Sequence, residues 1–145
     1  MVITLSPPFS LNTLNGNKLS LDHFCGEYLL VVFWETDCAG CERTLALLEA
    51  VHTSDDRITV LSVNMQPDEG MLREYVQDRG YSFPVLLDIE GKVFKDYQLK
   101  LLPTIIAING RGEITFRQQG PISEENLKTI REILLEQWEV RPIIV

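Results

Sequence analysis

The chain holds three cysteines. Two of them, Cys38 and Cys41, stand two residues apart in "WETDCAGC", residues 34–41. That spacing lets two sulfurs close a small disulfide ring with little backbone movement. The upstream run "LLVVF" reads as a buried strand, and "ERTLALLEAVH" downstream reads as a helix. A helix start leaves backbone N–H groups without partners and carries the positive end of the helix dipole. A thiolate there is stabilised, so its pKa falls below the usual value of about 8.5. Cys38, placed at or just before the first turn, is the candidate nucleophile for a substrate disulfide. Cys41, three residues on, is the candidate resolving thiol that releases the reduced substrate. Two other readings compete: plain buried cysteines, and a copper or zinc module. Four-coordinate zinc needs two further ligands, and only His23, His52 and Cys25 are at hand, with no second pair. A Cys-x-x-Cys beside a strand–helix–strand pattern favours the redox reading, which requires no cofactor and no metal.

The elements that must position this pair follow from patterning. "FSLNTLNGNKLSL" (9–21) is two short apolar runs around Asn15-Gly16, a hairpin signal. Strands are expected over 27–34, 57–65 and 83–88, and helices over 39–52 and 67–80. Strands at 104–108 and 113–118 flank Asn109-Gly110-Arg111-Gly112 and form an antiparallel hairpin. A helix over 123–138 opens on a Ser cap and two acids, with Leu127, Ile130, Leu134 and Trp138 on one face. Strand–helix alternation implies parallel pairing in the middle of the chain, and the late hairpin adds antiparallel strands. The expected fold is α/β, a mixed sheet with helices on both faces, formed by a single domain over 1–145.

Composition narrows the function. Thirteen Lys and Arg against 21 Asp and Glu give 13 − 21 = −8, with a pI near 4.7. A general nucleic-acid binder needs a basic face, so no nucleic acid is expected as a partner. No apolar run approaches the roughly 18 residues of a membrane span. The start, "MVITLSPPFS", lacks the basic and apolar regions of a secretory leader. The compartment is therefore open at this point: extracytoplasmic if a leader has been trimmed, cytoplasmic if Met1 is the native start.

The sequence resembles the thioredoxin superfamily, and more closely its TlpA/ResA-like thiol–disulfide oxidoreductases. "VVFWETDCAGCE" is similar to that family's strand–Trp-x-x-x-Cys-x-x-Cys–helix segment. "FSLNTLNGNKLSL" is similar to its N-terminal hairpin. "YSFPVLLDIEGKVFKDYQLKLLPTIIAINGRGEI" is similar to its central insertion, Pro-Thr segment and final hairpin. The resemblance implies a thioredoxin-like fold, Cys38 as nucleophile and Cys41 as resolving thiol. It implies a cis bond between Leu102 and Pro103, which with Trp34 would line the substrate groove. It also implies a disulfide-bearing protein as substrate, such as a cytochrome c awaiting haem. The implied electron source is a membrane thiol carrier or another upstream reductant, and a monomer is expected.

Three departures from that pattern bear on chemistry. Gly40 stands where a proline is common, and in a helical turn it would cost up to about 1 kcal/mol and loosen the loop. Asp37 replaces an aromatic residue. Val32 occupies the place of a buried proton-carrying aspartate, which leaves Glu35 as the nearest acid in sequence, though a solvated loop position suits it better. A peroxiredoxin, the nearest enzymatic rival, is expected to carry a threonine where Glu35 stands. Cys25 reads as a bystander. With Asp37 and Glu35 opposing the thiolate against the helix end, the pair should be a reductant, nearer about −270 mV than about −120 mV.

Overall fold

The computed structural model describes residues 3–136. Residues 10–12 and 18–20 form a two-stranded antiparallel hairpin (β1, Ser10–Asn12; β2, Lys18–Ser20). A single 3-10 turn, Leu21–Phe24, leads to β3, Tyr28–Trp34. The rest of the chain runs α1 (Cys41–Ser54), β4 (Ile58–Asn64), α2 (Glu69–Arg79), β5 (Val85–Leu87), α3 (Lys92–Asp96), β6 (Thr104–Ile108), β7 (Ile114–Gln119) and α4 (Glu124–Leu134). The part of the expected final helix beyond Leu134 ends in two turn residues, and Trp138 lies outside the described residues.

The five-stranded sheet has the order β5-β4-β3-β6-β7. β3, β4 and β5 are parallel, and β6 and β7 are antiparallel to their neighbours. The mixed sheet predicted from strand–helix alternation is thus present. β3 lies at its centre, and all seven of its residues are buried. Two faces of one strand cannot both be buried unless both are covered. Leu30, Val32 and Trp34 pack with Leu45 and Leu48 of α1, Leu72 of α2 and Ile130 of α4. Leu29, Val31 and Phe33 point the other way, toward Phe9, Phe94 and Tyr97. Helices therefore cover both faces, with the N-terminal segment and short α3 closing the second.

Three elements differ from expectation. The hairpin connection is five residues, Thr13 to Asn17, rather than a tight Asn-Gly turn, because Leu14 is drawn into the core and its N–H donates to Val85 C=O at 3.1 Å. α3 has only five residues behind Gly91 and lacks the length to show a helical period. α1 starts at Cys41, not Ala39, because Gly40 has a left-handed backbone at φ +85° that interrupts the helical run.

Candidate redox site

Parallel strands deliver their following loops to one edge of the sheet, where α/β proteins place ligands. The loop from β3 carries Glu35 to Gly40 to that edge. Cys38 and Cys41 are joined in a disulfide with Cα atoms 5.4 Å apart. Their exposure differs: Cys38 is half-buried, whereas Cys41 is 0% exposed and belongs to the core beneath α1.

The backbone between them is a β-turn. Cys41 N–H donates to Cys38 C=O at 3.2 Å, and Gly40 has φ +85° and ψ −10°. Ala39 is not among the residues with positive φ. That combination is a type II turn, whose third residue needs about +80° and about 0° and is therefore usually glycine. The glycine that sequence reasoning treats as a loosening of the motif is the residue this turn demands. Cys38 lies just before the first helical turn, as expected, and the Cys41 N–H is engaged by the Cys38 carbonyl rather than free for the sulfur.

Glu35 departs from the solvated loop position expected of it. Glu35 is half-buried; burial first, and then the charge of Asp37, hold its carboxyl above the usual carboxylate range, against a hydrogen bond from the Met65 backbone. Val32 is fully buried in apolar surroundings, so no carboxylate lies in β3.

Pro103 immediately precedes β6, and Thr104 pairs in register with Phe33, which brings Pro103 to the same edge. The Leu102–Pro103 bond is cis. Pro103 is buried, Leu102 is half-buried, and the Thr104 hydroxyl donates to Leu101 C=O. Trp34 is 0% exposed and packs against Tyr75 and Tyr81 at centroid distances of 5.7 and 6.3 Å. In this oxidised form it presents no surface to a substrate. Beside it, Glu42 follows Cys41 and accepts from Arg79, whose guanidinium lies 3.4 Å above the Tyr75 ring.

Cys25 is exposed and sits after the 3-10 turn, away from this edge. His23 caps that turn through Ser20 N–H, 3.2 Å from its Nδ1, and His52 packs edge-on to Phe83. Among the described residues no group of three or more His, Cys, Asp or Glu is disposed to hold a metal ion. Sequence reading missed the Gly120–Pro121 segment, which closes the third side of the site. A Gly-Pro pair after a strand reads only as a turn, and nothing in its spacing signals contact with Gly40, far earlier in the chain.

Residues 4–117 match the AhpC/TSA family. The sporulation thiol-disulfide oxidoreductase A of Bacillus subtilis (strain 168) is 28% identical over 125 residues, which are 83% of this chain and 75% of that protein. The thiol-disulfide oxidoreductase ResA of Halalkalibacterium halodurans is 29% identical over 128 residues, 87% of this chain and 73% of that one. Among solved structures, a putative thioredoxin from Neisseria meningitidis superposes with a TM-score of 0.82 at 25% identity, covering 95% of each chain. A fold of this topology, a disulfide in Cys-x-x-Cys spacing at the sheet edge and these relatives agree: the chain belongs to the AhpC/TSA family, as a thioredoxin-like, ResA-like member.

Proposed function

We propose that the protein is a thiol–disulfide oxidoreductase that works as a reductase of protein disulfides. The observation that carries this is the unequal burial of two bonded sulfurs at the ends of one turn. In the reduced protein the Cys38 thiolate attacks one sulfur of a substrate disulfide. That bond breaks, and the released substrate thiolate takes a proton. Cys41 then gives up its proton and attacks the Cys38 sulfur, which frees the second substrate thiol and closes the Cys38–Cys41 disulfide. Two electrons pass to the substrate, and an upstream thiol donor restores the pair.

The substrate groove in this reading runs past Leu102 and Pro103. An extended peptide can pair with backbone at a sheet edge like an added strand. Trp34 supports the loop from beneath rather than touching the peptide. A peroxidase reading has less behind it: Glu35 occupies the position where a threonine is expected, and the relatives above carry thiol–disulfide oxidoreductase names. The resemblance to ResA-like proteins supports work outside the cytoplasm, a membrane thiol carrier as donor and a cytochrome c-type substrate before haem attachment. No helix among the described residues is long and apolar enough to cross a membrane.

The test is a pair of variants. Cys38→Ser should abolish insulin reduction, and Cys41→Ser should accumulate mixed disulfides visible on non-reducing gels. Retained turnover in Cys38→Ser, or trapping through Cys38→Ser and not Cys41→Ser, refutes the assignment.

A further inference from the structure

The connection between β7 and α4 is fastened on both sides of Pro121. Gly120 N–H donates to Pro103 C=O at 2.7 Å. Ile122 N–H donates to the hydroxyl of Thr44, which is buried one turn into α1, at 3.3 Å. Between these two anchors the ring of Pro121 lies against Gly40. A Cβ placed on Gly40 would overlap Pro121 Cγ and stand 3.2 Å from its Cβ. Proline has no long flexible arm to swing away, and both its neighbours are held. Gly40 is thus confined by a rigid ring from outside and by the turn hydrogen bond from within.

We propose that Pro121 is a positioning residue for the redox pair, confining Gly40 so that Cys38 and Cys41 stay at the two ends of a closed turn after reduction as well as before it. The inference rests on Cys38–Cys41 being the redox pair. Glycine has the widest backbone freedom of any residue, so an unconfined Gly40 would let the dithiol open. Ring closure from an open dithiol costs loop entropy, and a turn that is already closed avoids that cost. The confined turn favours the disulfide over the dithiol and so makes the reduced protein a stronger reductant. The same geometry excludes the proline common at this motif position, because proline fixes φ near about −65° and Gly40 needs a positive value.

The experiment equilibrates the full chain and its variants in dithiothreitol redox buffers. The protein disulfide takes two electrons and two protons from dithiothreitol, giving two protein thiols and the cyclic dithiothreitol disulfide. Acid quenching and thiol labelling read the ratio. Pro121→Gly should lower the ring-closure constant about fivefold. Gly40→Ala should lower it as well, and the double variant should lose less than the product of the two single effects, since removing the ring relieves the overlap that the added Cβ creates. Where Pro121→Gly has lost its native circular dichroism, Pro121→Ala, which opens the ring by removing Cγ and Cδ but keeps Cβ, should still lower the constant about threefold. A value within twofold of wild type in the folded Pro121 variant, or strictly multiplicative effects, overturns the inference. If wild type itself does not equilibrate with the buffer, the redox assignment falls and takes this inference with it. If wild type equilibrates and the Pro121 variant matches it, the inference alone falls.

Discussion

The two ends of α1 are built on opposite principles. At its N-terminus the helix begins behind Gly40, which offers no side-chain cap, and the loop before it carries Glu35 and Asp37. Burial and the Asp37 charge disfavour the ionised form of Glu35. At its C-terminus the cap residue is Asp55, nearly buried, whose carboxylate accepts from Arg57 N–H, Nε and Nη2, each at 3.0 Å, and from Arg131 Nη2 at 2.6 Å. Hydrogen bonding to Arg57 leads the effects that hold the Asp55 carboxyl well below the usual carboxylate range, with Arg131 adding to it and burial opposing. The far end joins α1 to β4 and α4 with satisfied charges. The near end leaves a sulfur-bearing turn among groups that resist added negative charge. The redox pair and the Asp55 clamp thus lie at opposite ends of one helix.

The largest way to break this contrast is at Asp55. Asp55→Ala removes a buried acceptor from two arginines and should destabilise the protein by about 2 kcal/mol in urea unfolding, with disulfide reduction unchanged. The pH dependence fixes the sign. The folded carboxyl titrates below its unfolded value of about 3.9, so its stabilisation is present above that pH and is lost as pH falls toward the folded value. Wild type and Asp55→Ala should therefore converge in stability below about pH 4, and a constant gap between pH 7 and pH 3 would refute the clamp.

Glu35 supplies the opposite sign. Its folded carboxyl is raised, so the neutral form favours the native state and ionisation costs stability as pH rises through the carboxylate range. Glu35→Gln should be at least as stable as wild type at pH 7, by about 0.5 kcal/mol at most, with the advantage shrinking toward pH 4. A loss of stability on this substitution would mean that Glu35 makes a stabilising charge contact. The smallest effect belongs to Cys25, exposed and remote from the pair. Cys25→Ala should leave insulin reduction within about twofold, a margin of roughly 0.4 kcal/mol in barrier. A larger loss in the folded variant would make it a third redox participant.

Much of this was legible in the residues. The continuous apolar run of β3 and the periodic faces of α1 and α4 identify the buried centre, because burial on both sides leaves its mark on every position. The cysteine spacing points to the chemistry. What escaped is whatever depends on contacts distant in sequence. Asp55, Arg57 and Arg131 carry no motif, although 76 residues separate the two ends of the Asp55–Arg131 pair. Gly40 and Pro121 are both ordinary turn residues until the fold places one against the other. The start of α1 shifted by two residues because a single positive φ outweighs the helical pattern that follows it. The five-residue hairpin loop exists because Leu14 is worth more in the core than in a tight turn.

On the proposed function, the turn and the flanking acids leave Cys38 only weakly stabilised as a thiolate, so that the pair donates electrons. Its reduction potential tests this directly, by equilibration of the purified chain against dithiothreitol and glutathione buffers of known poise. The expected value lies nearer about −270 mV than about −120 mV. A value above about −180 mV would overturn the reductase assignment and make the protein an oxidase or isomerase of disulfides.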